Sequence, residues 1–393
     1  LIFSVAKRVP VTFSDFIVLS RMKTLSLLAV ILLIKGFAAA QGNIVVRERF
    51  KFKDTVEIDK YSPLNNGFSA IKLKMNPGDY QIQNLNDFRL LKGVAITGVD
   101  LVYSDYPVGT DFSELNRKRM LELYMHLPEA FNSDVVQWRI VKQTGVAQTG
   151  GIQNYFHGIV VYYRPMPTFE EEHKEILSVI EGNAPLQDSS IIKIMQRNPN
   201  WKDMLVVCDV TGSMAPYTTQ ILFWINSNQA IKSFKQIVFF NDDEEKSNNQ
   251  LNGLDTAGIW DIESSNTKKV IKTAFTAMQK GSHIENNLEA VCYAVKKYPA
   301  NKMNVIMIAD NWENPCDMAL LDYLKKEKIP LRIIVCGVVD VMNPVYLNMA
   351  YATGGSVHTM EGDLTEVAKI GEGKIIKFGK QRFRMSKGTF QPL

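Results

Sequence analysis

Asp209, Thr211 and Ser213 alternate at the end of the stretch Met204 to Met214, MLVVCDVTGSM, and set one carboxylate and two hydroxyls within five residues. Oxygen donors of this kind suit a hard divalent cation, Mg²⁺ foremost, with Mn²⁺ or Ca²⁺ as alternatives. They do not suit zinc, which is drawn to nitrogen and sulfur. Gly212, between the hydroxyls, lets the backbone turn tightly around the donors. A further acid, Asp310, closes the apolar run Val305 to Ala309. A third source of oxygen is the short loop Gly281-Ser282-His283-Ile284-Glu285, where Ser282 and Glu285 are both available and the sequence does not choose between them. His283 is read as a loop surface residue because its neighbours are oxygen donors. Asp242, in the acidic stretch Asn241 to Glu245, is read as a solvated loop charge that could also stand behind the inner donors.

For these groups to meet, the elements carrying them must end at one edge of one sheet. Five apolar residues before Asp209 are too few for a helix and read as a strand buried on both faces. Gln236 to Phe240, Val305 to Ala309 and Leu331 to Val335 read the same way, with Gly258 to Ile262 as a further strand and Ser356 to Met360 as a last one. Helical spacing falls between them at Tyr217 to Ile231, Asn266 to Lys280, Asn286 to Lys297, Asp317 to Lys326 and Pro344 to Ala352. This alternation predicts an α/β fold with a doubly wound parallel sheet, Rossmann-like, over residues 201–361. In such sheets ligands bind in the crevice outside the strands' carboxyl ends, where Asp209 and Asp310 both fall.

Ahead of this lies a smaller α+β domain, residues 41–165, in which alternating stretches such as Phe156 to Tyr163 are interrupted by one amphipathic helix, Phe112 to Leu127. His157 is read there as a structural or surface residue rather than a ligand, and Arg117, Lys118 and Arg119 as a solvated basic face. Residues 166–200 form a helical connector. Thr168 with Glu171 makes a capping box for a helix ending near Ile180, and a second short helix spans Ser189 to Gln196. Residues 362–393 predict a β-hairpin extension, Lys374 to Phe390, covering a sheet edge.

The chain has 393 residues, is 46% hydrophobic, and carries a net charge of +4, which is too little to point to nucleic acid. Met22-Lys23-Thr24, the apolar run Leu25 to Ile34 and the ending Ala38-Ala39-Ala40 describe a secretory signal peptide over residues 22–40, with residues 1–21 read as a non-native upstream extension. The apolar core is too short to span a bilayer, so no transmembrane segment is expected after cleavage. Cys208 and Cys336 sit in strand-like runs and are read as buried thiols. Cys292 and Cys316 complete the set, and no CxxC pair supports a zinc site.

Residues 201–361 resemble the von Willebrand factor A domain. Asp209-x-Thr211-x-Ser213 looks like the first loop of that family's metal-ion-dependent adhesion site, and Asp310 stands in the place of its later aspartate. Asn198-Pro199-Asn200-Trp201, Thr211 to Tyr217 (TGSMAPY) and Thr353-Gly354-Gly355-Ser356 look most like exported bacterial members. The resemblance implies a divalent cation held at Asp209, Thr211, Ser213 and Asp310, whose coordination is completed by an acidic side chain of a protein partner. The middle loop departs from the family pattern, being shortened at Ser282 to Glu285. Gly98 to Leu127 loosely resembles the peptidoglycan-binding OmpA-like domain.

These readings lead to an exported cell-envelope protein-interaction module, periplasmic or at the cell surface. The alternative is a structural envelope protein whose N-terminal domain binds cell wall or another protein while the second domain is a scaffold. Catalysis is not expected. A phosphatase with an Asp nucleophile needs a second acid two residues on, where this chain has Thr211. Ser213 lacks the Gly-x-Ser-x-Gly frame, no histidine sits near a serine in any strand-end motif, and no Gly-x-x-x-x-Gly-Lys appears. A metal-dependent phosphoester hydrolase is therefore the least favoured reading.

Overall fold

The computed structural model describes residues 55–64, 68–131, 133–146, 151–227, 233–241, 258–280, 286–338 and 341–393. The leader, Asp242, and the loop with Ser282, His283 and Glu285 lie outside the described residues. The fold is mixed α/β, built on sheets that contain parallel strands.

The first sheet comprises β1 (Thr55–Ile58), β2 (Ser69–Lys74), β3 (Ala95–Ser104), β4 (Gln137–Gln143) and β5 (Gly158–Arg164), in the order β1-β4-β3-β5-β2. β4 runs parallel to β1 and β3, whereas β5 is antiparallel to β3 and β2. A parallel pair needs a crossover, and α1 (Ser113–His126) supplies it between β3 and β4. Met120 and Leu123 of α1 pack on Leu73, Val99, Leu101 and Val161.

The solvated basic face expected on α1 holds for only two of its three residues. Arg117 and Lys118 pair with Glu114 at the surface. Arg119 is 0% exposed and donates to the carbonyls of Asp79, Val102 and Asn76 at 2.8, 3.2 and 3.1 Å. It faces inward, where its guanidinium ties the carbonyls of the turn 76–79 to that of Val102 in β3. His157 is structural, as expected: Nδ1 bonds the Tyr155 carbonyl at 3.1 Å, and burial first, then Arg119, push its pKa down to about 4.

The second sheet holds β6 (Met204–Asp209), β7 (Phe234–Phe240), β8 (Ile259–Glu263), β9 (Val305–Asp310), β10 (Leu331–Cys336), β11 (Ser356–His358) and β12 (Asp363–Leu364), ordered β12-β11-β10-β9-β6-β7-β8. The strands from β11 to β7 are parallel throughout. Both rims are antiparallel, β8 against β7 and β12 against β11, which departs from a wholly parallel reading. Side chains of β8 are only partly buried, and an antiparallel strand tolerates such a half-solvated rim where a parallel one is normally covered.

Alternation along β6 sends Val206 and Cys208 to one core and Leu205 and Val207 to the other. The first core is closed by α2 (Phe169–Ile180), α3 (Ser190–Arg197), α4 (Tyr217–Asn226) and α5 (Thr267–Met278). The second is closed by α6 (Asn287–Lys297), α7 (Leu321–Lys326) and α8 (Pro344–Thr353). The capping box forms: Thr168 Oγ1 accepts from Glu171 N–H, and Thr168 N–H donates to the Glu171 carboxylate. The terminal hairpin proves to be three antiparallel strands, β13 (Ile375–Phe378), β14 (Gln381–Ser386) and β15 (Thr389–Pro392), because Phe390 as well as Phe383 and Met385 belongs to the second core.

No disulfide joins the four cysteines, all of which are among the described residues, and Cys208 and Cys336 are buried thiols as expected. No described helix is long and apolar enough to cross a membrane.

Candidate functional site

Strand order reverses at β6, since β7 follows on one side while β9 returns on the other. That reversal opens the crevice in which open α/β sheets bind ligands. β6 and β9 are direct parallel neighbours with Cys208 opposite Ile308, so Asp209 and Asp310 end adjacent strands at the same edge.

After Asp209 the chain makes one short 3₁₀ turn, Gly212–Met214, before α4 begins. The turn folds its donors back on the strand end. Thr211 N–H donates to Asp209 Oδ1 at 2.8 Å, and the Thr211 and Ser213 hydroxyls share a hydrogen bond at 2.9 Å. Asp310 Oδ1 accepts from Trp312 N–H at 2.7 Å. Among the described residues, no hydrogen bond of ordinary geometry reaches its buried Oδ2. Burial raises the Asp310 pKa, against the pull of the Ser213 hydroxyl, nearby backbone N–H groups and the Arg164 cation.

The four donors predicted from sequence in these two strand ends are therefore together, and they are closely covered. Asp209 is 0%, Thr211 1%, Ser213 6% and Asp310 1% exposed. Among the described residues, no three His, Cys, Asp or Glu side chains form a metal-holding group. The donor set found here is two carboxylates with two hydroxyls, and Ser282 and Glu285 lie outside the described residues.

Two glutamates not singled out from the sequence also bear on the site. Glu172 on α2 is buried, and its pKa is pushed up to about 8, first by desolvation and also by Glu175 and Asp209, against the pull of the nearby Thr218 hydroxyl. Glu313, just beyond β9, is raised to about 8 by burial and by Asp310, Asp209 and Glu129. A signal for Glu172 exists, because it shares the helical face of Ile176 and Val179, four and seven residues on. Asn287, the first residue of α6, is fully buried with neither side-chain atom bonded to a described residue. Because α6 leads back into β9, its start lies toward the same sheet edge.

The first sheet reaches this edge. Arg164, which ends β5, donates from Nη1 to the Ser213 carbonyl at 3.2 Å, and its guanidinium carbon lies 5.9 Å from the Tyr217 ring centre. On the other loop, Ser133 Oγ donates to the Trp312 carbonyl at 2.7 Å, and Phe68 meets the Trp312 indole edge-on with ring centres 6.2 Å apart. Gly337, at φ +77°, makes room for that indole: a Cβ there would stand 3.0 Å from Trp312 Nε1.

A separate cluster sits toward the β12 rim. His358 bonds Ser356 Oγ through Nε2 at 2.7 Å and Asp363 Oδ1 through Nδ1 at 2.8 Å. The sequence reading finds no histidine beside a serine at a strand end; here strand alternation within β11 brings the pair together. Arg197 grips Asp363 through Nε and Nη2 at 2.9 and 2.6 Å. Burial opposes ionisation of Asp363, but Arg197 and His358 overcome it and hold the pKa down to about 2. His358 is 1% exposed and set edge-on against Trp201, and through Arg197 the cluster ties α3 to the sheet rim.

No protein-family model matches the chain, and no curated protein matches it.

Proposed function

We propose that this chain is an exported cell-envelope module of the von Willebrand factor A type that binds a protein partner through a divalent cation. The observation that carries the reading is the meeting of Asp209, Thr211, Ser213 and Asp310 at adjacent parallel strand ends beside the strand-order reversal. Two buried carboxylates facing one crevice repel each other unless a cation or a proton intervenes. The Asp310 carboxylate and the paired hydroxyls supply hard oxygen donors for such an ion. Asp209, Asp310, Thr211 and Ser213 would hold it, with Ser282 or Glu285 as further donors.

When bound, the ion supplies a positive centre for an incoming carboxylate. The bond between the Thr211 and Ser213 hydroxyls sets their orientation, and Thr211 N–H holds the Asp209 carboxylate. Mg²⁺ is the ion expected first, with Mn²⁺ or Ca²⁺ as alternatives. The partner offers an acidic side chain, and no reaction is assigned to the site.

Calorimetric titration of Mg²⁺, Mn²⁺ and Ca²⁺ tests the reading. Saturable one-site binding is expected, abolished in Asp209→Ala and Asp310→Ala while circular dichroism stays unchanged. Chelator should also release any captured partner. Ion binding that survives both substitutions would sink the assignment. Partner capture by residues 41–165 alone, indifferent to chelator, would move the function to the N-terminal sheet, whether the partner there is a protein or cell wall.

A further inference from the structure

The donors of the proposed cation site are buried beneath the first sheet, and that cover is charged. We propose that Arg164 is a tethered counter-cation of the acid site, so that docking of the N-terminal sheet and binding of a divalent ion oppose each other. This inference rests on the cation-site reading and concerns its regulation.

Asp209 and Asp310 bring two carboxyl groups to adjacent ends of β6 and β9, and Glu172 and Glu313 lie near enough to act on them electrostatically. Arg164 brings a guanidinium to them from β5, at the end of the other sheet. Its hydrogen bond goes to the Ser213 carbonyl, not to a carboxylate. The cation thus offsets the acid oxygens through space. A divalent ion in the cup would bond those oxygens directly and place two further positive charges beside Arg164.

The other contacts of the cover fall on the same loops. A Cβ on Gly212 would lie 3.6 Å from Met166 Sδ. Trp312, two residues after Asp310, packs with Ala95 and Val135 and bonds Ser133. The loops that would hold the ion are therefore the surface on which the sheet rests. With donors no more than 6% exposed, a partner's carboxylate does not reach them in this arrangement. Linkage makes the opposition reciprocal: if the ion weakens docking, docking weakens the ion by the same factor. The docked arrangement is then the closed form, and the ion-loaded form is the one competent for a partner.

The test is Mn²⁺ titration of the full chain, wild type against Arg164→Gln and Arg164→Lys, with amide hydrogen exchange followed with and without Mn²⁺. Arg164→Gln should bind Mn²⁺ about tenfold more tightly, while Arg164→Lys, which keeps the charge, stays near wild type. In wild type, saturating Mn²⁺ should speed exchange over residues 133–136 and slow it over 209–214. Equal or weaker binding by Arg164→Gln, with wild type binding normally, overturns the coupling and leaves the cation site standing. If neither protein binds Mn²⁺, the site itself is wrong and the coupling falls with it. Should Arg164→Gln fail to fold, the exchange experiment on wild type decides alone: unchanged or slower exchange at 133–136 on adding Mn²⁺ overturns the proposal.

Discussion

Glu172 has a carboxyl raised to about 8 by burial, so its proton is held more tightly in the folded chain than in the unfolded one. The stabilisation this brings is complete below the ordinary glutamate value of 4.5 and is lost as pH rises toward about 8. Glu172→Gln keeps the shape and removes the charge. It should raise Tm relative to wild type by about 2–4 °C at pH 8.5 and by much less at pH 4.5, as read by differential scanning calorimetry. An equal effect at both pH values would mean that the carboxyl is not held neutral by its surroundings. Residue types at the strand ends were legible in the sequence because an apolar run that stops at an acid marks a buried strand reaching its polar rim, and Asp209 and Asp310 are where that pattern put them. Glu313 and Arg164 were not legible. Nothing local marks Glu313 as lying beside Asp310 and Asp209, and Arg164 meets Ser213 only through the docking of two sheets, a contact that no spacing along the chain encodes.

At the level of elements, α1 and the turn 76–79 are joined by one side chain. Arg119 serves three carbonyls, and burial lowers its pKa to about 10, still far above neutrality, so it remains charged. Arg119→Met would remove three charge-assisted hydrogen bonds that join the turn to β3 and should cost about 3 kcal/mol, measured as a fall in urea midpoint at constant m-value. A loss under about 0.5 kcal/mol would show that water replaces the guanidinium. Helix and strand positions for the second sheet followed from periodicity, since β6 and β9 are buried at every residue and α2 carries its own start signal. The direction of β8 did not follow, because a half-buried rim strand satisfies the same residue pattern in either orientation. The solvated reading of Arg119 failed for a related reason. A charged residue inside a basic triplet carries no local mark of the carbonyls that another loop will bring to it.

At the scale of the whole molecule, the two larger sheets meet through Trp312, Phe68, Ala95 and Val135. Trp312→Ala removes the central side chain of that contact. Hydrogen exchange should quicken over residues 133–136 by at least about tenfold, while residues 204–209 keep their protection, since local opening need not follow global stability. Equal loss of protection in both segments would make the two sheets one cooperative unit. The strand order has a consequence for how this chain comes into being. β6 lies inside its sheet, but the neighbour it needs on one side pairs Val305 with Leu205, roughly a hundred residues further along. A ribosome delivers β6 and β7 long before β9 exists, so an apolar, fully pleated edge stands open for the several seconds that synthesis of the intervening segment takes. Such an edge is a template for pairing with another nascent chain. The most dangerous moment for this molecule is thus before it is finished, and a helper that shields apolar strands until residue 310 has emerged should raise its yield more than any improvement to the completed core.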